Sequence, residues 1–264
     1  MISSHDTPGI TIHPIPAAAA PSLRFTLPPP PPPPPPIASA IDLVWAELRQ
    51  ASPRLFDGPI VLTDTGAAVL GAAPLDKLPA RRATYKTLAT AADVGMTVRA
   101  LGVQALVLAR DAAGVEHILL GRRSSEVRKY PGLWENAPSG SVPPPPAAEQ
   151  SVSLPHLART LIAEGIEELG LSLSAVDMTC IALLDDAEAA SLDVVLRVNL
   201  PHPINPKSLP CPATDGRWEY ADAAWVPVAQ LKGWVESNAH AISPPALAVL
   251  PCMGGTWATR IMPP

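Results

Sequence analysis

The sequence predicts an α/β protein, on three observations. Two apolar runs joined by a turn, Ala100 to Asp111 and Val115 to Ser124, read as a strand hairpin. A single long helical pattern runs from Ser153 to Leu169 and stops at Gly170, where a helix C-terminal glycine belongs. A second strand pair, Met178 to Asp186 and Leu192 to Pro201, follows that helix.

Residues 1–37 read as an unstructured tail rich in Pro, Ala and Ser. The nine prolines Pro28 to Pro36 would form a stiff polyproline II rod, a spacer or a docking element for a proline-recognising partner. Residues 38–96 read as a small α+β lead-in. In it, Ile41, Val44, Trp45 and Leu48 recur at helical spacing, Pro53 to Gly66 reads as a turn and a strand, and Arg81 to Lys86 as a further strand. Residues 97–264 form the main domain. It holds the hairpin, a Gly- and Pro-rich loop from Val127 to Val142, the helix, the second strand pair, and a strand entering a helix over Trp218 to Leu231. Ser153 is the expected N-cap, with Pro155 in the first turn.

Composition narrows the function. Hydrophobic residues make up 47% of the chain, enough for a sizeable core. The net charge is -5 and no basic stripe is present, which argues against bulk nucleic acid as a partner. Cys180, Cys211 and Cys252 are odd in number and form no C-x-x-C pair, so neither a disulfide framework nor a zinc site is expected. No apolar run approaches the ~20 residues of a membrane span, and the N-terminus lacks the pattern of a signal peptide. The expected location is the cytoplasm, with no membrane partner.

The chemically informative segment is Ala163 to Leu171. Residues at i, i+3 and i+4 share a helix face, so Glu164, Glu167 and Glu168 converge. Like charges at that spacing cost a few tenths of a kcal/mol per pair, and Gly165 adds up to about 1 kcal/mol. A solvated helix surface presents the same pattern; a divalent cation is the functional alternative, because carboxylate oxygens are hard ligands suited to Mg²⁺ or Mn²⁺.

This segment resembles the latter half of the Nudix box, GX5EX7REUXEEXGU, in which U is a bulky aliphatic. Glu164 matches the Glu of "RE", Glu167 and Glu168 the "EE" pair, Gly170 the closing Gly and Leu171 the final U. Ser139-Gly140 stands where a glycine pair opens the box, and Leu119 to Ser124, Tyr130 to Gly140 and Ala224 to Leu231 are also similar to that family. The sequence departs from the pattern at Ala163, in place of the box Arg, and at Gly165, in place of the first U. About nine extra residues around Pro143 to Pro146 lengthen the box, leaving Glu149 as its early Glu. Arg159, one turn before Ala163, is the candidate substitute cation.

The resemblance implies an α/β/α sandwich with a mixed sheet and a Mg²⁺- or Mn²⁺-dependent hydrolase. The implied substrate is a small nucleoside diphosphate linked to another moiety, and Phe56 to Leu62 is similar to a segment of Nudix proteins acting on nucleotide sugars. Glu164, Glu167, Glu168, the Gly140 carbonyl and Glu219 are the implied metal ligands, with Asp185, Asp186 and Glu188 competing for the place of Glu219. Glu164 and Glu168 carry the catalytic roles. Arg122 and Arg123 would bind phosphate or else mark an exposed strand end. Trp134 and Tyr130 would stack on a ring or pack the loop, His156 is expected at the surface, and Asp185-Asp186 in a solvated turn. The alternative is a degenerate Nudix domain that binds nucleotide without hydrolysing it. Isopentenyl diphosphate isomerase, of the same fold, needs a Cys in the loop where this chain has Asn136 to Ser139.

Overall fold

The computed structural model describes residues 9–28, 35–53, 55–64, 66, 70, 74–208 and 219–253. The central strand, β6 (Arg99–Arg110), is a run of twelve residues with only its ends exposed to any extent. A strand that apolar must be covered on both faces. Its odd-numbered residues Leu101, Val103, Ala105 and Val107 face one core with Leu157, Leu161 and Leu169 of α3 (Leu154–Leu169). Its even-numbered Leu106 and Leu108 face another, with Leu231 and Val235 of α4 (Leu231–Asn238) and Ala246 and Val249 of α5 (Pro244–Val249). The α/β/α layering expected from the sequence is therefore present. Each fully buried Leu of α3 contributes about 1.5–3 kcal/mol relative to exposure.

The sheet is ten-stranded and mixed. On one side β6 runs parallel to β12 (Ser191–Asn199), which pairs antiparallel with β11 (Met178–Asp186). On the other side, β6 is shared by three neighbours along its length. β3 (Pro59–Thr63) takes its start, β9 (Ser139–Ser141) its middle and β7 (Glu116–Arg123) its end. Beyond β7 lie β8 (Trp134–Asn136) and β13 (Tyr220–Pro227). The sheet continues through β3 to β5 (Arg81–Thr84), across the boundary that composition suggested near residue 96. Two helices accompany these strands, α1 (Pro35–Ala51) and α2 (Tyr85–Thr90).

The N-terminal segment corrects the expectation of an unstructured tail. β1 (Ile10–Pro14) adds to the edge of the sheet against β11. β2 (Arg24–Thr26) forms a small second sheet with β4 (Leu78–Pro79) and β10 (Ser151–Ser153). Ile10, Ile15, Leu23, Phe25 and Leu27 are buried, Phe25 completely. Five apolar anchors among prolines and alanines suffice to offset the ordering entropy that Pro-rich composition alone would not repay. Pro35 and Pro36, expected in the polyproline rod, begin α1; Pro29–Pro34 lie outside the described residues, as do Trp218 and Cys211. The segment that lengthens the box is held by Arg82, which donates to the carbonyls of Pro145, Pro146 and Glu149.

Helix α3 ends as its sequence predicts. Gly170 has φ 62°, the left-handed conformation that costs Gly nothing. The amide of Leu171 donates to Gly165 O at 2.8 Å. Gly165 itself is explained here: a Cβ on it would meet Leu171 O at 2.9 Å and Leu173 Cδ1 at 3.1 Å as the chain folds back. Ser153 stands at the N-cap in extended conformation, but its side chain makes no capping hydrogen bond.

Among the described residues no helix is long and apolar enough to cross a membrane.

Candidate functional site

Helix α3 crosses the sheet so that its acidic end meets β9. Gly140 is paired with Val103 in the sheet, and Glu164 lies directly over it. A methyl on Gly140 would stand 2.1 Å from Glu164 Oε1 and 2.3 Å from Cδ, so a side chain there would push the carboxylate out of this position. One turn on, Glu168 is 2% exposed and its Oε2 accepts from the Ser139 amide at 3.2 Å. Its carboxyl is also hydrogen-bonded to that of Glu219, at the entry to β13. Two carboxyls in contact disfavour joint ionisation, which adds to the upward shift of Glu168. Glu167 faces solvent.

The sequence-expected residues thus divide. Glu164, Glu168, Glu219 and Gly140 come together; Glu167 stays outside. Burial raises the Glu164 carboxyl from its ordinary value near 4.5 to about 7, with Glu219 and then Glu167 adding repulsion. Burial and the bond to Glu219 push Glu168 well above the ordinary range too. Among the described residues no three His, Cys, Asp or Glu side chains already form a metal-binding group. The donors at hand are carboxylate oxygens that hold protons where a cation would let them ionise, which is the donor chemistry of Mg²⁺ or Mn²⁺.

The basic candidates are placed differently from the phosphate-binding expectation. Arg123 donates from Nη1 to Glu135 at 2.6 Å and from Nε to Lys129 O at 3.0 Å, so these donors point into the protein. Arg122 stands 3.6 Å from Asp222 and 5.8 Å from the centre of the Trp134 ring, on the exposed side. Trp134 meets Trp234 edge-on, with ring centres 5.6 Å apart. Arg159, the candidate substitute for the box Arg, is exposed and donates to His156 Nδ1 at 3.3 Å rather than reaching the glutamates. Glu149 is exposed in the lengthened loop.

Other expectations are overturned by burial. His156 is 8% exposed and bonds Pro143 O at 2.9 Å through Nε2, which fixes the start of α3 against the extra loop. Asp185 and Asp186 are 5% and 1% exposed. Asp185 accepts from Arg99 Nε at 2.7 Å, and Asp186 accepts from the Tyr130 hydroxyl at 2.8 Å and the Ala189 amide at 2.9 Å. Both are tied into structure by these bonds.

Three groups were invisible to sequence reasoning. Glu135 Oε1 accepts from Arg123, from the Tyr220 hydroxyl at 2.7 Å and from Ser139 Oγ at 3.3 Å. Tyr220 lies over Gly121, where a Cβ would meet its ring at 2.6 Å. On the other face of the sheet, Asp193 sits against Gly102 and accepts from Gln104 Nε2 and Ser191 Oγ; burial raises its carboxyl to about 7. Gln104 in turn accepts from Asn136 Nδ2 at 3.1 Å. The only sequence signal for these was acidic or polar residues inside otherwise apolar strands, and Glu beside Tyr at 219–220.

No protein-family model and no curated protein matches the sequence. Several solved structures are similar in part. The Nudix hydrolase RenU from M. smegmatis is 17% identical with a TM-score of 0.37, over 58% of this chain and 81% of that one. The NUDIX domain of Shewanella oneidensis NrtR, crystallised with ADP ribose, is 16% identical with a TM-score of 0.41, over 64% and 94%. A bifunctional NMN adenylyltransferase/ADP ribose pyrophosphatase from Francisella tularensis is 19% identical with a TM-score of 0.39, over 58% and 40%.

Proposed function

We propose that this chain is a Nudix-type hydrolase that cleaves the diphosphate of a small nucleoside diphosphate derivative with a divalent cation. One observation carries the reading: Glu164 over Gly140 and buried Glu168 beside Glu219, the first two glutamates at box positions of the helix. Gathering one buried and two half-buried carboxyls is costly unless something offsets it. Glu164, Glu168 and Glu219 would hold Mg²⁺ or Mn²⁺, with the Gly140 carbonyl as a further oxygen donor. The ion supplies charge neutralisation on the diphosphate and a more acidic water. Glu164 would be the carboxylate that takes the proton of the attacking water. Ser139 orients Glu168 by its amide, so the absent box Arg is replaced by a backbone donor. Arg122 stands against the Trp134 ring, which packs with Leu106 and Leu120 on the face of the sheet away from Glu164, so no substrate contact is assigned to it.

The reading is tested with a panel of nucleotide sugars, ADP-ribose and dinucleotides in Mg²⁺ or Mn²⁺, read by phosphate release after phosphatase treatment. Turnover that disappears with a chelator and in Glu168→Gln supports it. The second reading, a binding module without hydrolysis, is favoured by the solvent-facing Glu167 and the lack of a ready-made metal group among the described residues. Ligand binding by calorimetry with no turnover across the panel selects it.

A further inference from the structure

We propose that Glu135 is the positioning residue of this site, acting on Glu168 through Ser139. The proposal rests on the hydrolase reading for its consequence in catalysis, and on geometry alone for its action on the loop.

The chain of contacts is continuous. Gly121 is paired with Glu135 across β7 and β8, and its missing side chain leaves room for the Tyr220 ring. The Tyr220 hydroxyl and Arg123 Nη1 both donate to Glu135 Oε1, at 2.7 and 2.6 Å. The same oxygen accepts from Ser139 Oγ at 3.3 Å, and Ser139 Oγ is also 3.4 Å from the Tyr220 hydroxyl. Ser139 then gives its amide to Glu168. Its side chain is thus held by the β7–β8–β13 platform while its backbone holds the helix carboxylate.

Glu135 is a fixed hydrogen-bond hub. Three donors meet on one oxygen, one of them a guanidinium, and the Glu135 side chain is only 13% exposed. Such a carboxylate is held in place by its donors. Glu168 has the opposite surroundings: no cationic contact accompanies the Ser139 amide and the Glu219 carboxyl. Partners behind a ligand commonly matter about 10- to 100-fold in metal affinity or activity.

The test compares wild type with Glu135→Gln, Glu135→Asp and Tyr220→Phe, using the full chain. Amide hydrogen exchange of the peptide spanning 137–141, MnCl₂ titration by calorimetry, and kcat and KM on the best panel substrate are measured. In Glu135→Gln, exchange across 137–141 rises about tenfold, Mn²⁺ binding weakens about 10- to 100-fold, and kcat falls with KM nearly unchanged. Tyr220→Phe keeps Arg123 on Glu135 and shows a smaller change in the same direction; Glu135→Asp recovers part of the loss. Unchanged exchange and unchanged Mn²⁺ affinity in Glu135→Gln overturn the proposal. If wild type neither binds Mn²⁺ nor turns over while exchange still rises in the variant, the hydrolase reading fails and the loop-positioning role stands. If Glu135→Gln does not fold, Tyr220→Phe carries the decision by the same measurements.

Discussion

Replacing Glu164 by Gln changes how stability depends on pH. In the native protein Glu164 holds its proton to about pH 7, against an ordinary value near 4.5. A raised affinity means that folding favours the neutral carboxyl. The resulting stability is fully present below the ordinary value and is lost as pH rises through about 7. Each tenfold in proton affinity corresponds to about 1.4 kcal/mol, so the two values set a ceiling of about 3 kcal/mol. Glu164 is half-buried, and water and salt reduce this to about 1–2 kcal/mol. Gln keeps the neutral shape and cannot ionise. Urea unfolding at pH 5 and pH 8, with a chelator present, gives wild type a loss about 1–2 kcal/mol larger than that of Glu164→Gln. Adding Mg²⁺ narrows the difference, because a bound cation stabilises the ionised form that burial disfavours. Parallel pH profiles for the two proteins would refute the placement of Glu164 in a desolvated acidic site.

Gly140→Ala puts a methyl 2.1 Å from Glu164 Oε1 and displaces that side chain. Stability drops by about 1–3 kcal/mol at most, while hydrolysis falls far more, a split read by urea unfolding alongside turnover. Phe25→Ala removes a fully buried ring from β2 and costs about 3–5 kcal/mol in chemical unfolding. A change under about 1 kcal/mol would mean that the N-terminal strands do not pack. Glu168→Gln abolishes turnover and Mn²⁺ binding, whereas solvent-facing Glu167→Gln leaves Mn²⁺ affinity within a few-fold of wild type; equal losses would put Glu167 in the site after all.

The strands β6, β7, β11 and β12 and the helix α3 were legible because each is long enough for its apolar pattern to repeat. The three-residue strands β8, β9 and β10 carry no periodicity, and β9 is the strand that presents Gly140. β1 and β2 were hidden by the prolines and alanines around Ile10 and Phe25, whose burial depends on distant partners in β11 and β10. At the site, the local spacing of Glu164 and Glu168 was readable because a helix sets it. The Glu135–Tyr220 bond joins residues 85 positions apart, and only the register of β7 with both β8 and β13 brings them together. Asp185 and Asp186 were misread for a related reason. Their residue type suggests solvent, while Arg99 and Tyr130 come from other elements to satisfy them.

The absence of the box Arg can be understood from where positive charge is placed. Arg123 is nearest the acidic cluster in the sheet, yet Glu135 takes it, and Arg159 turns away to His156. Of the glutamates, Glu168 has one backbone amide, that of Ser139, as its donor. An arginine lying over these carboxylates would stabilise them ionised and compete with a metal for the same oxygens. A site held by a neutral amide leaves the charge uncompensated, so a divalent ion entering it displaces a proton rather than a salt bridge. Metal affinity in such a site rises with pH through the range in which Glu164 ionises, near pH 7. An Mn²⁺ titration with the same affinity at pH 6 and pH 8 would contradict that account of how the fold substitutes for the missing side chain.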